Sequence, residues 1–406
     1  MSRTFWAGLG LLVLIVAWMG VFLPSPEQEL NVIPVDSKIR IGVVSATWED
    51  HSQYEFLAKL AERDINDYCK ESGVQMEFEF ILACAEGTSK TAYERVGGFR
   101  EMGITLVTGL PWTTMLCSSR GWGEEHDMVL MSTVSSGSHL RIKDNSFRLN
   151  PYNGFIAKPL VAALTDSGVS DVLVIRRGDS WSEDIMGEFK PLFESKGGTV
   201  TTLEYDGSEM GPLKFKTREA DEALKEIIEK GDADSTGVVY LGFTEALYFL
   251  KYGLNTSLVS VPWFGTDATI NKTIIMEEAG EGAAMVSLVS PVPVAVNSTK
   301  YRRVNELYMD SFGTPMSLEE ANLYDSCWLL AKTVIETNST DQDKVTEKLP
   351  DIASRHFGAS GPCNLDEYGD RVSSQYDYWE YDMVNGTVQA IKTGSYDWTG
   401  NIEWFD

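Results

Sequence analysis

From residue 38 onward, short runs of β-branched and other apolar residues alternate with stretches whose apolar positions recur every third and fourth residue. A chain with that rhythm buries its apolar surfaces best by laying helices on both faces of a parallel sheet. The first run, 38–45, carries Ile39, Ile41 and Val43 and is predicted as a strand. The next, 53–72, spaces Leu57, Leu60, Ala61 and Ile65 at three and four and is predicted as a helix. Strands follow at 76–82, 104–108 and 129–132, with helices between them. The rhythm restarts after Phe147-Arg148-Leu149-Asn150-Pro151, with helix 154–167, strand 171–176, helix 182–196, strand 199–205, helix 219–230, strand 238–241 and a last strand at 263–265. A helix-rich block over 300–352 carries a long apolar stripe across 317–337. A hairpin, 376–383 against 388–392, closes the pattern, and its turn holds Asn385-Gly386, a pair suited to positive φ. At 406 residues the chain exceeds what one core normally serves. The expected architecture is α/β, with two doubly wound parallel-sheet lobes joined by several crossings.

Residues 5–23 carry no charge, follow Arg3 and end at Pro24-Ser25-Pro26. That length crosses a bilayer core, and the lone arginine favours keeping the short N-terminal end inside. The expectation is an uncleaved anchor with a linker to residue 37. A cleaved signal peptide is the alternative, although no A-x-A site follows Leu23. Both place the remainder on the extracytoplasmic face of the cell membrane. The net charge of −26, from 60 acidic against 34 basic residues, lacks the basic footprint of a nucleic-acid binder. Five sequons, at Asn255, Asn271, Asn297, Asn338 and Asn385, are expected glycosylation sites; unmodified surface asparagines are the alternative. The cysteines, Cys69, Cys84, Cys117, Cys327 and Cys363, contain no C-x-x-C and the four histidines are scattered, so no metal site is expected. In an oxidising compartment one or two disulfides with a thiol left over are expected, with free buried thiols as the alternative. The chain has no G-x-S-x-G, H-E-x-x-H, Walker or G-x-G-x-x-G motif, and neither a cofactor nor an enzymatic activity is expected.

Nine segments stand in order along the chain: Ile41-Gly42-Val43; Val107-Thr108-Gly109-Leu110; Met131-Ser132-Thr133 through Leu140; the 147–151 crossing; Gly178-Asp179-Ser180-Trp181; Tyr240-Leu241-Gly242-Phe243; Phe264-Gly265-Thr266-Asp267; Tyr324-Asp325; and Gly361 through Asp366 to Gly369-Asp370. Together they resemble the branched-chain amino-acid and amide substrate-binding family, which has the type I periplasmic-binding fold. The resemblance implies crossings near Asn150, Ser290 and Gly358. It implies one lobe from 38–149 and 291–357, a second from 150–290 and 358–400, and a ligand held between them. Trp112, Thr113 and Thr114, with Ser135 and Ser136, would then receive a carboxylate or amide; helix caps are the alternative. Asp267 matches the acid that binds an α-ammonium, with an N-cap role as its alternative. Trp181 and Phe243, with Trp48 after the first strand, would offer flat faces to an aliphatic chain or a cation; core packing is the alternative for Trp181 and Phe243. The family further implies a Cys84–Cys117 bridge and a weaker Cys327–Cys363 pair. Trp112 stands where family members often carry small residues, and Trp181 where they carry Tyr, which points to a smaller or cationic ligand. The expected function is that of a solute-binding protein passing a small amino-acid-like or amide ligand to the permease subunits of an ABC transporter. A sensor or surface recognition module is the alternative. Receptor domains of this fold continue into a membrane segment and a signalling domain, whereas this sequence stops at Asp406.

Overall fold

The computed structural model describes residues 37–405 apart from 209, 210 and 212; the expected anchor at 5–23 lies outside the described residues. Among the described residues no helix is long and apolar enough to cross a membrane. The chain begins with β1 (Ser37–Ser45), α1 (Trp48–Ser72), β2 (Met76–Cys84), α2 (Ser89–Glu101), β3 (Leu106–Gly109), α3 (Thr113–Glu125), β4 (Val129–Ser132) and β5 (Ser146–Pro151). Every residue of β3 and β4 is buried, as a strand covered on both faces requires. Helix α1 starts where Thr47 accepts from the Asp50 N–H and stops at Gly73 in the left-handed region, so both ends are capped.

A second unit repeats the pattern with α4 (Ala157–Asp166), β6 (Asp171–Arg177), α5 (Ser180–Ser195), β7 (Thr199–Tyr205), α6 (Leu213–Lys230), β8 (Thr236–Leu241), α7 (Ala246–Gly253), β9 (Trp263–Phe264), α8 (Thr273–Met285) and β10 (Ser290–Val294). The chain returns to the first lobe through α9 (Thr299–Phe312), α10 (Leu318–Thr337), α11 (Gln342–Arg355) and β11 (Asp370–Arg371). It ends in the second with β12 (Gln375–Val384), β13 (Thr387–Tyr396) and β14 (Ile402–Trp404). Lobe 1 holds a six-stranded parallel sheet ordered β11-β5-β4-β3-β1-β2, with α10 packed on α1, β3 and β5. Lobe 2 holds a parallel sheet, β7-β6-β8-β9, and an antiparallel one, β10-β12-β13-β14, linked by a bridge between Phe264 and Val289. Its largest core residue, Trp263, is fully buried among Tyr240, Leu250, Leu258 and Ile275. Burial of one such side chain contributes about 1.5–3 kcal/mol.

The strand orders reverse between β1 and β3 in lobe 1 and between β6 and β8 in lobe 2, and such a switch point opens a crevice at the carboxyl ends of the strands. Gly109 makes the turn out of β3 possible. Its φ is 93°, and a Cβ there would lie 2.1 Å from the Val44 carbonyl oxygen.

Two expectations need correction. By strand pairing, β10 still belongs to the C-terminal sheet and β11 to the six-stranded one. The second and third crossings therefore fall at 295–298 and 372–374, later than Ser290 and Gly358. The disulfides are not formed either: Cys69, Cys84, Cys117, Cys327 and Cys363 are all free thiols. Strand β1 separates β2 from β3, so Cys84 at the end of β2 stands roughly 10 Å, two strand spacings, from the strand leading to exposed Cys117. Cys363 touches Asp325, and positions two apart on α10 do not face the same side, so Cys327 points elsewhere.

Candidate functional site

A recess of about 130 Å³ opens between the lobes beside the first crossing. Lobe 1 contributes Ser136, the crossing contributes Asn150 and Pro151, and lobe 2 contributes Tyr152, Asn153, Ile156, Trp181, Ile185, Asp267, Pro293 and Tyr376. Trp181 comes from the first turn of α5, where the helix is started by Asp179 accepting from the Ser182 N–H at 3.0 Å. Its ring lies 4.8 Å from that of Phe243, and the Arg177 guanidinium sits 4.7 Å from the Phe243 centroid. That guanidinium is already engaged by Asp179, at 2.7 Å, and by buried Glu245.

Asp267 lies just beyond β9. It caps nothing: the turn is closed by the Thr266 N–H donating to Thr269 Oγ1 at 3.1 Å and the Ala268 N–H donating to Thr266 Oγ1 at 3.2 Å. Helix α8 starts six residues further on, with Lys272 at its N-cap. The N-cap alternative for Asp267 therefore falls. Its pKa is raised, foremost by the protein packed around it, while Lys272 and the backbone N–H groups of Asp267 and Ala268 pull it back. The side chain keeps open surface toward the crevice, so this is the desolvation of a recess, screened by water, rather than that of a closed core. Tyr376 is buried beside it; burial first and the Asp267 charge second raise the phenol pKa well above its ordinary value.

Of the expected ligand residues, Ser136, Trp181 and Asp267 line the recess, and Phe243 backs it through Trp181. The others stand apart. Ser135 is buried and donates to Thr113 Oγ1 at 3.2 Å, and the Gly137 N–H reaches the same oxygen at 3.4 Å. Thr113 thus holds the 135–137 loop from behind. Thr114 is exposed, as are Trp112 and Trp48; Trp112 occupies the N-cap of α3, and Trp48 meets His51 edge-on. Tyr152, Asn153, Pro293 and Tyr376 were not identified from sequence. Their signal was position: each follows or precedes a crossing, and crossings form the floor of an interlobe crevice. The sequon residues Asn255, Asn271, Asn297 and Asn385 are exposed, and Asn338 is half-buried.

Asp325, His356 and Cys363 bring ligand-type atoms within 4.8 Å of one another in lobe 1. Both Asp325 oxygens are occupied, accepting from the Ala359 and Ser360 N–H groups, each at 2.7 Å. Lys332 Nζ lies 3.3 Å from His356 Nδ1, which opposes a further cation. The cluster is a hydrogen-bonded staple for the 356–363 loop.

Residues 123–383 match the family model described as the receptor family ligand binding region. An uncharacterised protein of Methanocaldococcus jannaschii is 23% identical over 397 residues, covering 92% of each chain. Among solved structures, an ABC-transporter substrate-binding protein of Desulfitobacterium hafniense in complex with Leu superimposes with a TM-score of 0.66 at 16% identity, covering 87% of this chain and all of that one. A Rhodopseudomonas palustris solute-binding protein in complex with 4-hydroxybenzoate gives 0.61 at 14%, covering 89% and 98%. The chain belongs to the family of receptor ligand-binding regions and is built on the type I periplasmic-binding fold.

Proposed function

We propose that the protein is an extracytoplasmic solute-binding protein that binds rather than catalyses. It captures a small amine-bearing solute of the amino-acid or amide type between its lobes and delivers it to the permease subunits of an ABC transporter, with 5–23 as its membrane anchor. The observation that carries this reading is Asp267. A carboxylate in an interlobe recess that has Lys272 acting on it but no described cation within ion-pair distance is costly to enclose without a closer positive partner, and closure on a ligand ammonium supplies one. Hinge closure of two lobes over such a ligand is the ordinary behaviour of this architecture.

The test is a binding titration of the full chain in detergent against a panel of amino acids, amides and amines. Asp267→Ala should weaken binding of whichever solute stabilises the parent by about 2–5 kcal/mol, the cost of leaving one side of an enclosed charge pair unmatched. Equal affinity in parent and variant would remove the amine reading. The family description also includes receptors, which supports a sensor as the second reading. Recovery of permease and ATPase subunits by crosslinking from native membranes separates the two. The intact mass of the natively purified protein settles whether the anchor is retained and whether the sequons carry carbohydrate.

A further inference from the structure

The recess supplies one half of an amino-acid site and lacks the other. Its negative half is Asp267, backed by the rings of Tyr152, Trp181 and Tyr376. Among the described residues no Lys, Arg or His lines it; Lys272 acts on Asp267 from outside the lining, and the neighbouring guanidiniums are committed elsewhere. Arg177 is held by Asp179 and Glu245. Arg141 is held by Asp366 and Asp370 while covering Tyr152 at 3.9 Å.

Backbone donors could stand in for a cation, but of those at 135–138 in the adjoining loop only the Ser136 N–H, a single neutral donor, has no acceptor among the described residues. The Ser135 N–H donates to Ser132 Oγ at 3.1 Å, the Gly137 N–H to Thr113 Oγ1, and the Ser138 N–H to Asp184 Oδ2 at 3.2 Å. The Asn153 N–H donates to the Ser136 carbonyl oxygen at 2.8 Å. The hydroxyls of Thr113 and Ser135, which the family resemblance would offer to a carboxylate, bond to each other outside the recess.

Charge decides between ligand classes. A zwitterion closed into this recess would leave its carboxylate without a counter-ion, so that the enclosed set carries a net negative charge. A monocation leaves none, and an enclosed unpaired charge is the costlier state. Aromatic faces beside a carboxylate also suit an ammonium, including a methylated one. The recess, of about 130 Å³, suits a small ligand.

We infer that the ligand is a small organic monocation, an ammonium without a carboxylate. This inference rests on the interlobe recess being the ligand site.

Three matched probes isolate the charges: L-leucine, 3-methylbutylamine (the same skeleton without the carboxylate) and 4-methylpentanoate (the same skeleton without the amine). Tetramethylammonium tests the aromatic contribution. With the full chain in detergent, thermal shift at about 10 mM probe and calorimetry should show binding of 3-methylbutylamine and tetramethylammonium, none of 4-methylpentanoate, and leucine weaker than its decarboxylated amine. Asp267→Asn should reduce amine affinity by about 30-fold or more while leaving the unliganded melting temperature unchanged. Leucine binding about 30-fold tighter than 3-methylbutylamine would overturn the monocation while leaving Asp267 as the ammonium partner. Binding of 4-methylpentanoate alone would overturn both. Failure of either ammonium to stabilise the protein overturns the monocation outright.

Discussion

Glu319, in the first turn of α10, accepts from the Tyr54 hydroxyl at 2.9 Å, and the Tyr54 oxygen lies 3.2 Å from Thr133 Oγ1 at the end of β4. Burial foremost raises its pKa to about 7; the Tyr54 hydrogen bond resists, and Glu320 and Asp50 add to the rise. The unfolded carboxyl titrates near 4.5, so between pH 4.5 and 7 the folded state holds a proton that the unfolded state has released. Stability contributed by this group is therefore full below pH 4.5, falls as pH rises to 7, and is level beyond. Glu319→Gln should leave stability at pH 4 nearly unchanged and raise it at pH 8 by up to about 3 kcal/mol, read from denaturant midpoints. An identical pH slope in parent and variant would show that Glu319 does not titrate in this window. The Ser317-x-x-Glu320 capping box that starts α10 could be read directly from sequence. The partner of its neighbour Glu319 could not, because Tyr54 lies 265 positions away.

At the scale of the element, α3 shows how a residue type can be recognised while its task is misassigned. Thr113 opens the helix as the hydroxyl pattern suggests, yet its oxygen faces the 135–137 loop and fixes the placement of Ser136. Thr113→Val keeps the methyl and removes the acceptor, freeing the Gly137 N–H and the Ser135 hydroxyl. The expected result is about tenfold weaker ligand binding, with faster amide exchange confined to 135–138. Unchanged exchange there would mean that the loop is held by other contacts. The strands and helices were legible because buried strands such as β8, with Thr236 to Leu241 all buried, carry continuous apolar runs. The pairing partners of β10 and β11 were not. Each is a short segment whose neighbours, β12 and β5, lie far along the chain, and local pattern holds no record of such a partner. The cysteine pairs implied by the family resemblance failed for the same reason, since nothing local to the sequence says which face of α10 Cys327 occupies.

For the whole molecule, the crossings decide what moves. Arg148 forms a buried two-pronged pair with Asp370, at 2.5 and 2.6 Å, tying β5 to β11. Arg371, fully buried, donates to the Leu149 carbonyl at 3.1 Å, Asn322 Oδ1 at 2.8 Å, Ser360 Oγ at 3.0 Å, the Pro362 carbonyl at 2.7 Å and the Ser373 carbonyl at 2.6 Å. First and third crossings are thereby sewn to lobe 1 as far as Ser373, so any swing of lobe 2 on this connection would be absorbed from Ser374 onward. A planar guanidinium is needed, because six acceptors, the Ser360 carbonyl included, lie around a rigid fork that an ammonium cannot match. Arg371→Lys should lower stability by about 3–5 kcal/mol, since several buried carbonyls lose their donors at once. It should also spread the interlobe distance distribution between spin labels placed on α1 and α6 of the unliganded protein. Arg371→Met, which gives up the charge but keeps the stem, should be equally destabilised if donor geometry is what matters, and milder than Lys if enclosing the charge is the larger cost. A Lys variant with the parent's midpoint and an unchanged distance distribution would show that the crossings are held by the Arg148–Asp370 pair alone.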